Sequence, residues 1–513
     1  MKENINVEIK SRKIDFSSCK TDLLAIGLFA DAKELDKTTE ELNSKLKGAI
    51  DQLIKLGDFK GKDETSALIY GNGCIGAKRL LLLGLGEKKK ATLDTIRKAA
   101  AYAANKAVII KAQTISIALH RAFGARFDLS AIGRVMTEGA YLGSYRYDEF
   151  ITENKNGRLD SLIIELIDPD PAKIRMLNKG LWCGAIIGKA QSYTRTMANR
   201  PGNVINPVTL AAEAKKIARS SKGLSCTVLD EKQLAAKGMG GVLAVGAGSK
   251  TPPRFIILKY TPGSKAAGNL PTVGLVGKAI TFDSGGISIK PSDKMSEMKL
   301  DKTGGIAVLA TIKAAAELKL PFSIYGIIPA AENMPSGTSY RPGDIITTFS
   351  GKTVEVQSTD AEGRMILCDA LAYAAEQKCD IIIDIATLTG ACMVALGRYM
   401  AGLMGNDDKL IKQLQGAAEE SGEKVWLMPS GDEYAEEMKS KIADLKNTGS
   451  KWGGACTGAA FLRQFVGGKK WAHLDIAGVD VLDKTTEYTV EGSSGYGVRL
   501  LTTFLINLAG KKN

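Results

Sequence analysis

The 513-residue chain reads as an α/β protein of two domains: an N-terminal α/β sandwich and a larger C-terminal α/β/α domain with a central mixed sheet. Three observations predict this. Short apolar runs alternate with amphipathic stretches along the whole chain, the pattern of strands and helices in succession. The length suits two or three domains of about 150 residues each. Asp168-Pro169-Asp170-Pro171 interrupts the alternation, because proline fixes its own φ and restricts the residue before it. The expected division is therefore an N-terminal domain over 1–168, a connecting helix over 169–199 and a C-terminal domain over 200–513.

In the first part, Leu23–Phe29, Arg79–Leu85, Thr114–Leu119 and Ser161–Ile167 are apolar runs of strand length. Thr38–Leu56 and Leu93–Ala107 carry apolar residues at three- and four-residue spacing and predict helices. Strands separated by helices predict mostly parallel pairing. Ala172 to Asn199 predicts one long helix that stops before Pro201-Gly202-Asn203.

The alternation is stronger in the second part. Arg254–Leu258, Thr272–Val276, Phe322–Ile328 and Thr353–Gln357 predict strands; Gly304–Leu318 and Glu362–Gln377 predict helices. Ile366, Leu367, Ala370, Leu371 and Ala374 line one face of the latter. Isoleucine-rich Asp380–Ala386 predicts a strand buried on both faces, with Thr387-Leu388-Thr389-Gly390 as the loop after it. No internal repeat or low-complexity segment is present.

Composition narrows the function classes. Hydrophobic residues make up 44% and charged residues 24%, the balance of a soluble globular protein with a core large enough to need no staples. The eight cysteines are widely spaced with no Cys-x-x-Cys, which predicts reduced thiols in a cytoplasmic protein. Met1-Lys2-Glu3-Asn4-Ile5 is too polar for a signal peptide, and no apolar run reaches the length that spans a membrane. The net charge of +13 would suit nucleic acid. However, the short lysine runs at 88–90, 215–216, 469–470 and 511–512 are not interleaved with aromatics, so a solvated cationic surface is the preferred reading.

Asp283, Asp301, Asp360 and Glu362 all fall where predicted strands end or helices begin. Open α/β sheets bind ligands outside the carboxyl ends of their strands. Four carboxylates brought together there cannot remain as bare anions; two divalent cations would balance them. Hard oxygen donors suit Mg²⁺, Mn²⁺ or Zn²⁺. With only His120 and His473, and no His-Glu-x-x-His, a zinc site of that type is excluded, whereas a carboxylate-bridged pair of ions about 3.5–4 Å apart needs no histidine. The alternative for Asp360 and Glu362 is a solvated turn, or an acid pair at a helix N-terminus favoured by the helix dipole. Lys278 beside such ions would lose its proton and could ligate as an amine; the alternative is a surface lysine. Lys290 could remain charged and stabilise an oxyanion. Arg364 offers a planar fork for a carboxylate or a small oxyanion such as bicarbonate.

Gly277–Pro291 (GKAITFDSGGISIKP), Pro329–Pro335 (PAAENMP), Arg341-Pro342-Gly343-Asp344, Ser358–Arg364 (STDAEGR), Asp444-Leu445-Lys446-Asn447 and His473–Gly478 (HLDIAG) closely resemble the leucyl, or cytosol, aminopeptidase family. The resemblance runs in order over about residues 190–510 and makes 200–513 the expected catalytic domain. The first 165 residues fit the family's more variable domain by layout. The resemblance implies removal of leucine and other N-terminal residues from peptides by a two-metal hydrolytic mechanism. Lys278, Asp283, Asp301 and Glu362 would hold one metal, and Asp283, Asp360 and Glu362 the other. Two divalent ions per subunit are implied, Mn²⁺ or Zn²⁺, with Mg²⁺ possible at one site. Lys290 and Arg364 would be the catalytic pair, with bicarbonate on Arg364 as general base. Met298, Thr387, Gly390 and Ala477 would line the pocket for the N-terminal side chain. The family is typically hexameric, which implies a homohexamer.

The chain departs from the family pattern at Ala279, Lys302, Ser358 and Asp480. None is a ligand or catalytic position. Lys302 and Asp480 put charge where the family carries apolar side chains, which would disfavour a plain leucine pocket. Gly238–Thr251 resembles a phosphate loop but has Ser249 before Lys250-Thr251; a strand and tight turn are expected instead. Gly492-Ser493-Ser494-Gly495 lacks the second glycine of a nucleophile elbow. Both histidines are expected to be structural. Two competing functions are kept: nucleic-acid binding, which would weaken steeply with salt, and phosphate-ester hydrolysis by the same two metals.

Overall fold

The computed structural model describes residues 5–153, 159–263, 270–486 and 489–510. Lys511 and Lys512 of the last lysine run, and most of the polar N-terminus, lie outside the described residues. The chain forms two compact units, Met1–Ser192 with Asp483–Glu491, and Tyr193–Leu482 with Gly492–Asn513.

The first unit is built on six strands: β1 (Asn6–Lys13), β2 (Leu23–Leu28), β3 (Ser66–Tyr70), β4 (Arg79–Gly84), β5 (Thr114–Ile117) and β6 (Ser161–Asp168). Their order is β1-β6-β5-β2-β4-β3. Every neighbouring pair is parallel except β3 with β4, as strands linked by helices require. The predicted helix over 38–56 is two helices, α1 (Lys37–Lys45) and α2 (Ala49–Leu56). The break falls where Lys47 and Gly48 take φ of 55° and 81°, a left-handed step that ends a helix. Helix α3 (Leu93–Ile109), short α4 (His120–Phe123) and α5 (Leu129–Ser144) complete the layers. Leu24, Ile26, Leu80 and Leu82 pack with Leu42, Leu46 and Ile50 of the α1–α2 segment. Leu23, Ala25, Leu81 and Leu83 pack with Ile96, Ala100, Val135 and Met136 of α3 and α5. Alternate residues of one strand thus face opposite helical layers, which makes this unit a sandwich.

Helix α6 (Pro171–Asn199) runs across the boundary between the units. The second unit continues with α7 (Pro207–Ser220), β7 (Leu224–Leu229), α8 (Glu231–Ala236), α9 (Gly240–Gly246), β8 (Arg254–Tyr260), β9 (Val273–Gly277), β10 (Ala279–Asp283), α10 (Thr303–Glu317), β11 (Ile324–Asn333), β12 (Ile345–Thr347), β13 (Thr353–Glu355), α11 (Glu362–Glu376), β14 (Ile381–Ala386), α12 (Gly390–Leu396), β15 (Ala401–Gly405), β16 (Val425–Leu427), β17 (Leu445–Lys446) and β18 (Lys470–Asp475). Nine strands form one mixed sheet in the order β16-β15-β18-β14-β9-β11-β8-β7, with β10 on β11. The centre, β18-β14-β9-β11, is parallel, while β8 and β15 pair antiparallel. A methyl group on Gly274 would touch Cys379 and Ala374 beside α11, and one on Gly277 would lie 2.6 Å from Gly305 of α10. Residues 274 and 277 point to opposite faces, so α10 and α11 cover opposite sides and the unit is an α/β/α stack. The segment 240–246, expected as a strand, is helix α9; its glycines allow close packing, since a methyl on Gly241 would lie 2.1 Å from Met365 O in α11. Among the described residues no helix is long and apolar enough to cross a membrane.

Candidate metal centre

The parallel central strands deliver their C-terminal ends to one rim. Lys278 leaves β9, Asp283 ends β10, Asn333 ends β11 and Thr387 follows β14. Asp301 precedes α10, and Glu362 opens α11. Glycines let these elements close in. A methyl on Gly277 would lie 2.5 Å from Gly304 O, and one on Gly363 would lie 2.8 Å from Lys278 Nζ.

Lys278 Nζ is 2.9 Å from Asp301 Oδ1 and 2.8 Å from Glu362 Oε1, and donates to Thr387 O at 2.7 Å. Lys290 Nζ lies 2.9 Å from Asp283 Oδ2 and pairs closely with Asp360. Asp283, Asp301 and Glu362 each bring a carboxylate oxygen within 4.8 Å of the others. Asp360 stands at the open side, with its side chain 38% exposed. Asp301 Oδ2 and Glu362 Oε2 are buried without a hydrogen-bond partner.

The electrostatics follow from this crowding. Burial raises the pKa of Asp301, and Asp283 and Glu362 add to it against Lys278. Burial and Asp283 likewise raise Glu362, and burial raises Asp360. Burial disfavours the ammonium groups of Lys278 and Lys290, yet the surrounding carboxylates outweigh it and both pKa values are raised. Two ammonium ions thus balance part of the carboxylate charge.

Arg364 is buried, donates from Nη1 to Asn447 O at 2.6 Å, and has its Nε unpartnered. Burial brings its pKa down to about 10. Of the residues expected to line the substrate pocket, Met298 lies in the 3₁₀ turn Met295–Leu300, just before Asp301. Asp475 at the end of β18 accepts from Leu388 N, Thr389 N, Thr389 Oγ1 and Ala477 N. One carboxylate therefore holds the loop carrying Thr387 and Gly390 together with the turn carrying Ala477. Thr387 Oγ1 donates to Asp301 Oδ1 at 2.6 Å.

Supporting residues carry no role in the sequence reading. Asn333 Nδ2 donates to Asp283 Oδ1 at 2.9 Å and to Thr359 O at 3.0 Å, and the Tyr340 hydroxyl donates to Thr359 O at 2.8 Å. Thr359 Oγ1 bonds Gly285 O and accepts from Ser288 N, so the loops bearing Lys290 and Asp360 are tied together. Asn333, Thr359, Asn447 and Asp475 lie inside recognisable motifs, but polar side chains at strand ends are too common to signal such roles.

The departures resolve differently. Lys302 is fully buried and donates to main-chain carbonyls of Ala198, Arg200 and Lys299, so its charge is engaged by the backbone. Burial and Lys299 pull its pKa down to about 7, with Asp301 acting against them. Asp480 is buried, and burial with the nearby Asp301 raises its pKa well above the carboxylate range. His473 Nδ1 pairs with Asp384 at 2.5 Å and His120 Nε2 with Asp168 at 2.8 Å, both structural.

A buried nest of carboxylates and lysines on the carboxyl rim of an α/β sheet defines the class: a metal-dependent hydrolase. Comparison with known proteins narrows it. The model of the cytosol aminopeptidase family's catalytic domain matches residues 192–502, and that of its N-terminal domain matches 25–154. The chain is 41% identical over 507 residues to a probable cytosol aminopeptidase of Aquifex aeolicus (strain VF5), covering 98% of this chain and 99% of the relative. It is 42% identical over 496 residues to one from Geobacter sulfurreducens, covering 96% and 97%. A solved tomato leucine aminopeptidase mutant superposes with a TM-score of 0.88 at 34% identity, covering 99% of this chain and 98% of that one. The bottromycin maturation enzyme BotP in complex with Mn gives 0.83 at 32% identity, covering 95% and 100%. The chain belongs to the cytosol aminopeptidase family, and it is an aminopeptidase of the metalloexopeptidase class.

Proposed function

We propose that the enzyme removes leucine and other N-terminal residues from peptides with two divalent ions per subunit, Mn²⁺ or Zn²⁺, with Mg²⁺ possible at one site. The observation that carries this is the pair of buried carboxylate oxygens, Asp301 Oδ2 and Glu362 Oε2, with no hydrogen-bond partner inside a three-carboxylate cluster. Such oxygens suit a hard cation. Lys278, Asp283, Asp301 and Glu362 would hold one ion; Asp283, Asp360 and Glu362 would hold the other. When bound, the ions supply Lewis-acid polarisation of the scissile carbonyl and lower the pKa of water.

The chain's own residues do the rest. Lys290, charged and on the open side beside Asp360, donates to the carbonyl oxygen as negative charge develops there. Arg364 presents a guanidinium suited to bicarbonate, which would accept the proton that water gives up. Met298, Thr387, Gly390 and Ala477 receive the N-terminal side chain. The assembly is a homohexamer acting in the cytoplasm, a reading supported by the family resemblance and by Val394 and Tyr399, which are 85% and 82% exposed in the single chain.

Leucine anilide hydrolysis with added Mn²⁺, measured with and without a chelator, tests the activity. Asp360→Asn is expected to reduce kcat by at least about 10²-fold and to lower the bound metal. Wild-type turnover in Asp360→Asn would refute the ligand assignment. Cleavage of nitrophenyl phosphate without cleavage of any amide would instead favour the phosphate-ester reading.

A further inference from the structure

We propose that Lys302 is a built-in cation: its ammonium fills a cage of main-chain carbonyls that ties the end of α6 to the turn carrying Asp301, and so positions that carboxylate. The inference follows from geometry. Lys302 Nζ lies 3.0 Å from Ala198 O and 2.9 Å from Arg200 O, and it also bonds Lys299 O. The side chain is fully buried. Three acceptor oxygens around one nitrogen call for three N–H groups. The ammonium has them; a neutral amine has two and would turn its lone pair on the third oxygen.

The three oxygens share an origin. Ala198 belongs to the last turn of α6, and Lys299 to the last turn of the 3₁₀ turn Met295–Leu300. Carbonyls at a helix C-terminus have no partner within the helix and sit at the negative end of its dipole. Arg200 O belongs to the chain leaving α6 toward Pro201. One buried positive charge therefore caps two helix ends at once. Asp301 follows directly, and its Oδ1 must meet Lys278 and Thr387 at 2.9 and 2.6 Å. A shift of the Lys299–Lys302 turn would carry Asp301 out of that arrangement. Lys302 Nζ donates to main-chain oxygens rather than to the carboxylate cluster, so it is a positioning residue. Its effect on metal binding rests on the metal-site reading above, whereas the cage itself does not.

Carbonyl oxygens that replace a hydration shell hold potassium, and ammonium resembles potassium in size and charge. Truncating Lys302 should therefore leave a cage that a free monovalent ion can fill. The test uses the full-length Mn²⁺-loaded enzyme and its K302A variant, in choline, potassium and ammonium chloride at equal ionic strength. The readouts are unfolding temperature and Mn²⁺ affinity by competition with a fluorescent chelator. The wild type should be indifferent to the choice of salt. K302A should unfold several degrees lower in choline and bind Mn²⁺ about tenfold or more weakly, and potassium or ammonium should restore both. Wild-type behaviour of K302A in choline would overturn the proposal, as would a loss that no monovalent ion repairs. K302S, which also leaves the cage open, carries the same comparison where K302A does not fold. If wild-type enzyme binds no Mn²⁺, the metal-site reading fails, and a monovalent-ion effect on the unfolding temperature of the variant would still uphold the cage.

Discussion

Lys278 lies between Asp301 and Glu362 as an ammonium, the form its raised pKa favours. Serving as a metal ligand would require the amine. Burial and Asp283 raise the pKa of both Asp301 and Glu362, so the metal-free site holds its protons more tightly than free acids do. Metal binding to the proposed ligand set would expel those protons and the one on Lys278. The sign follows: divalent affinity rises with pH, and binding releases protons. Titration calorimetry in two buffers of different ionisation enthalpy should show net proton release near neutral pH; none, or uptake, would contradict it. Stability of the chelated protein moves the other way. An acid whose folded pKa is raised stabilises below its unfolded value, about 4, and that contribution is lost as pH climbs through the folded value. The two lysines, also raised, keep their contribution across the neutral range.

At the scale of elements, the site depends on how near α10 comes to the sheet. Gly277 closes β9 opposite Gly304 and Gly305, and a side-chain carbon there would lie 2.5 Å from Gly304 O. Gly277→Ala should therefore push α10 outward and cost about 1–3 kcal/mol by overpacking. It should also weaken metal binding, because Lys278 and Asp301 flank that contact. Unfolding by urea and Mn²⁺ titration on the same preparation would check both; unchanged values in each would show that the helix tolerates the methyl group. Elements of this buried kind were the most legible in the sequence. Apolar β14 and the amphipathic face of α11 announce themselves because both are packed against the core. Edge elements did not. The polar sequence NVEIKSRK of β1 presents no apolar run, and β3, SALIY, is only five residues long and partly exposed. The α1–α2 break rests on left-handed backbone at Lys47 as much as at Gly48, and lysine gives no warning of that. In the site, motif residues were readable through family resemblance. The carbonyl cage of Lys302 was not, because it joins main-chain atoms about a hundred residues apart and no side-chain pattern encodes it.

For the whole molecule, charge and assembly pull against each other. Each chain carries +13, and the proposed association of six chains would multiply like-charge repulsion while burying apolar surface. The exposed Val394 and Tyr399 are surface of the kind that association covers. Repulsion between surface charges is screened over about 10 Å at 0.1 M salt but reaches about 30 Å at 0.01 M. If apolar burial holds the hexamer, low salt should loosen it and moderate salt should tighten it. Sedimentation at fixed protein concentration should then show a six-chain particle at 0.1 M salt or above, as an order-of-magnitude threshold, with a growing share of smaller species as salt is removed. Activity on leucine anilide should follow the large particle. The opposite trend, dissociation as salt rises, would mean that ion pairs hold the subunits together. Full activity in a single-chain species would remove the hexamer from the functional reading altogether. The same salt series separates the competing role for the positive charge. Duplex DNA that binds at low salt and is lost steeply as salt rises, while peptide hydrolysis holds steady, would mark that binding as a nonspecific property of the cationic surface.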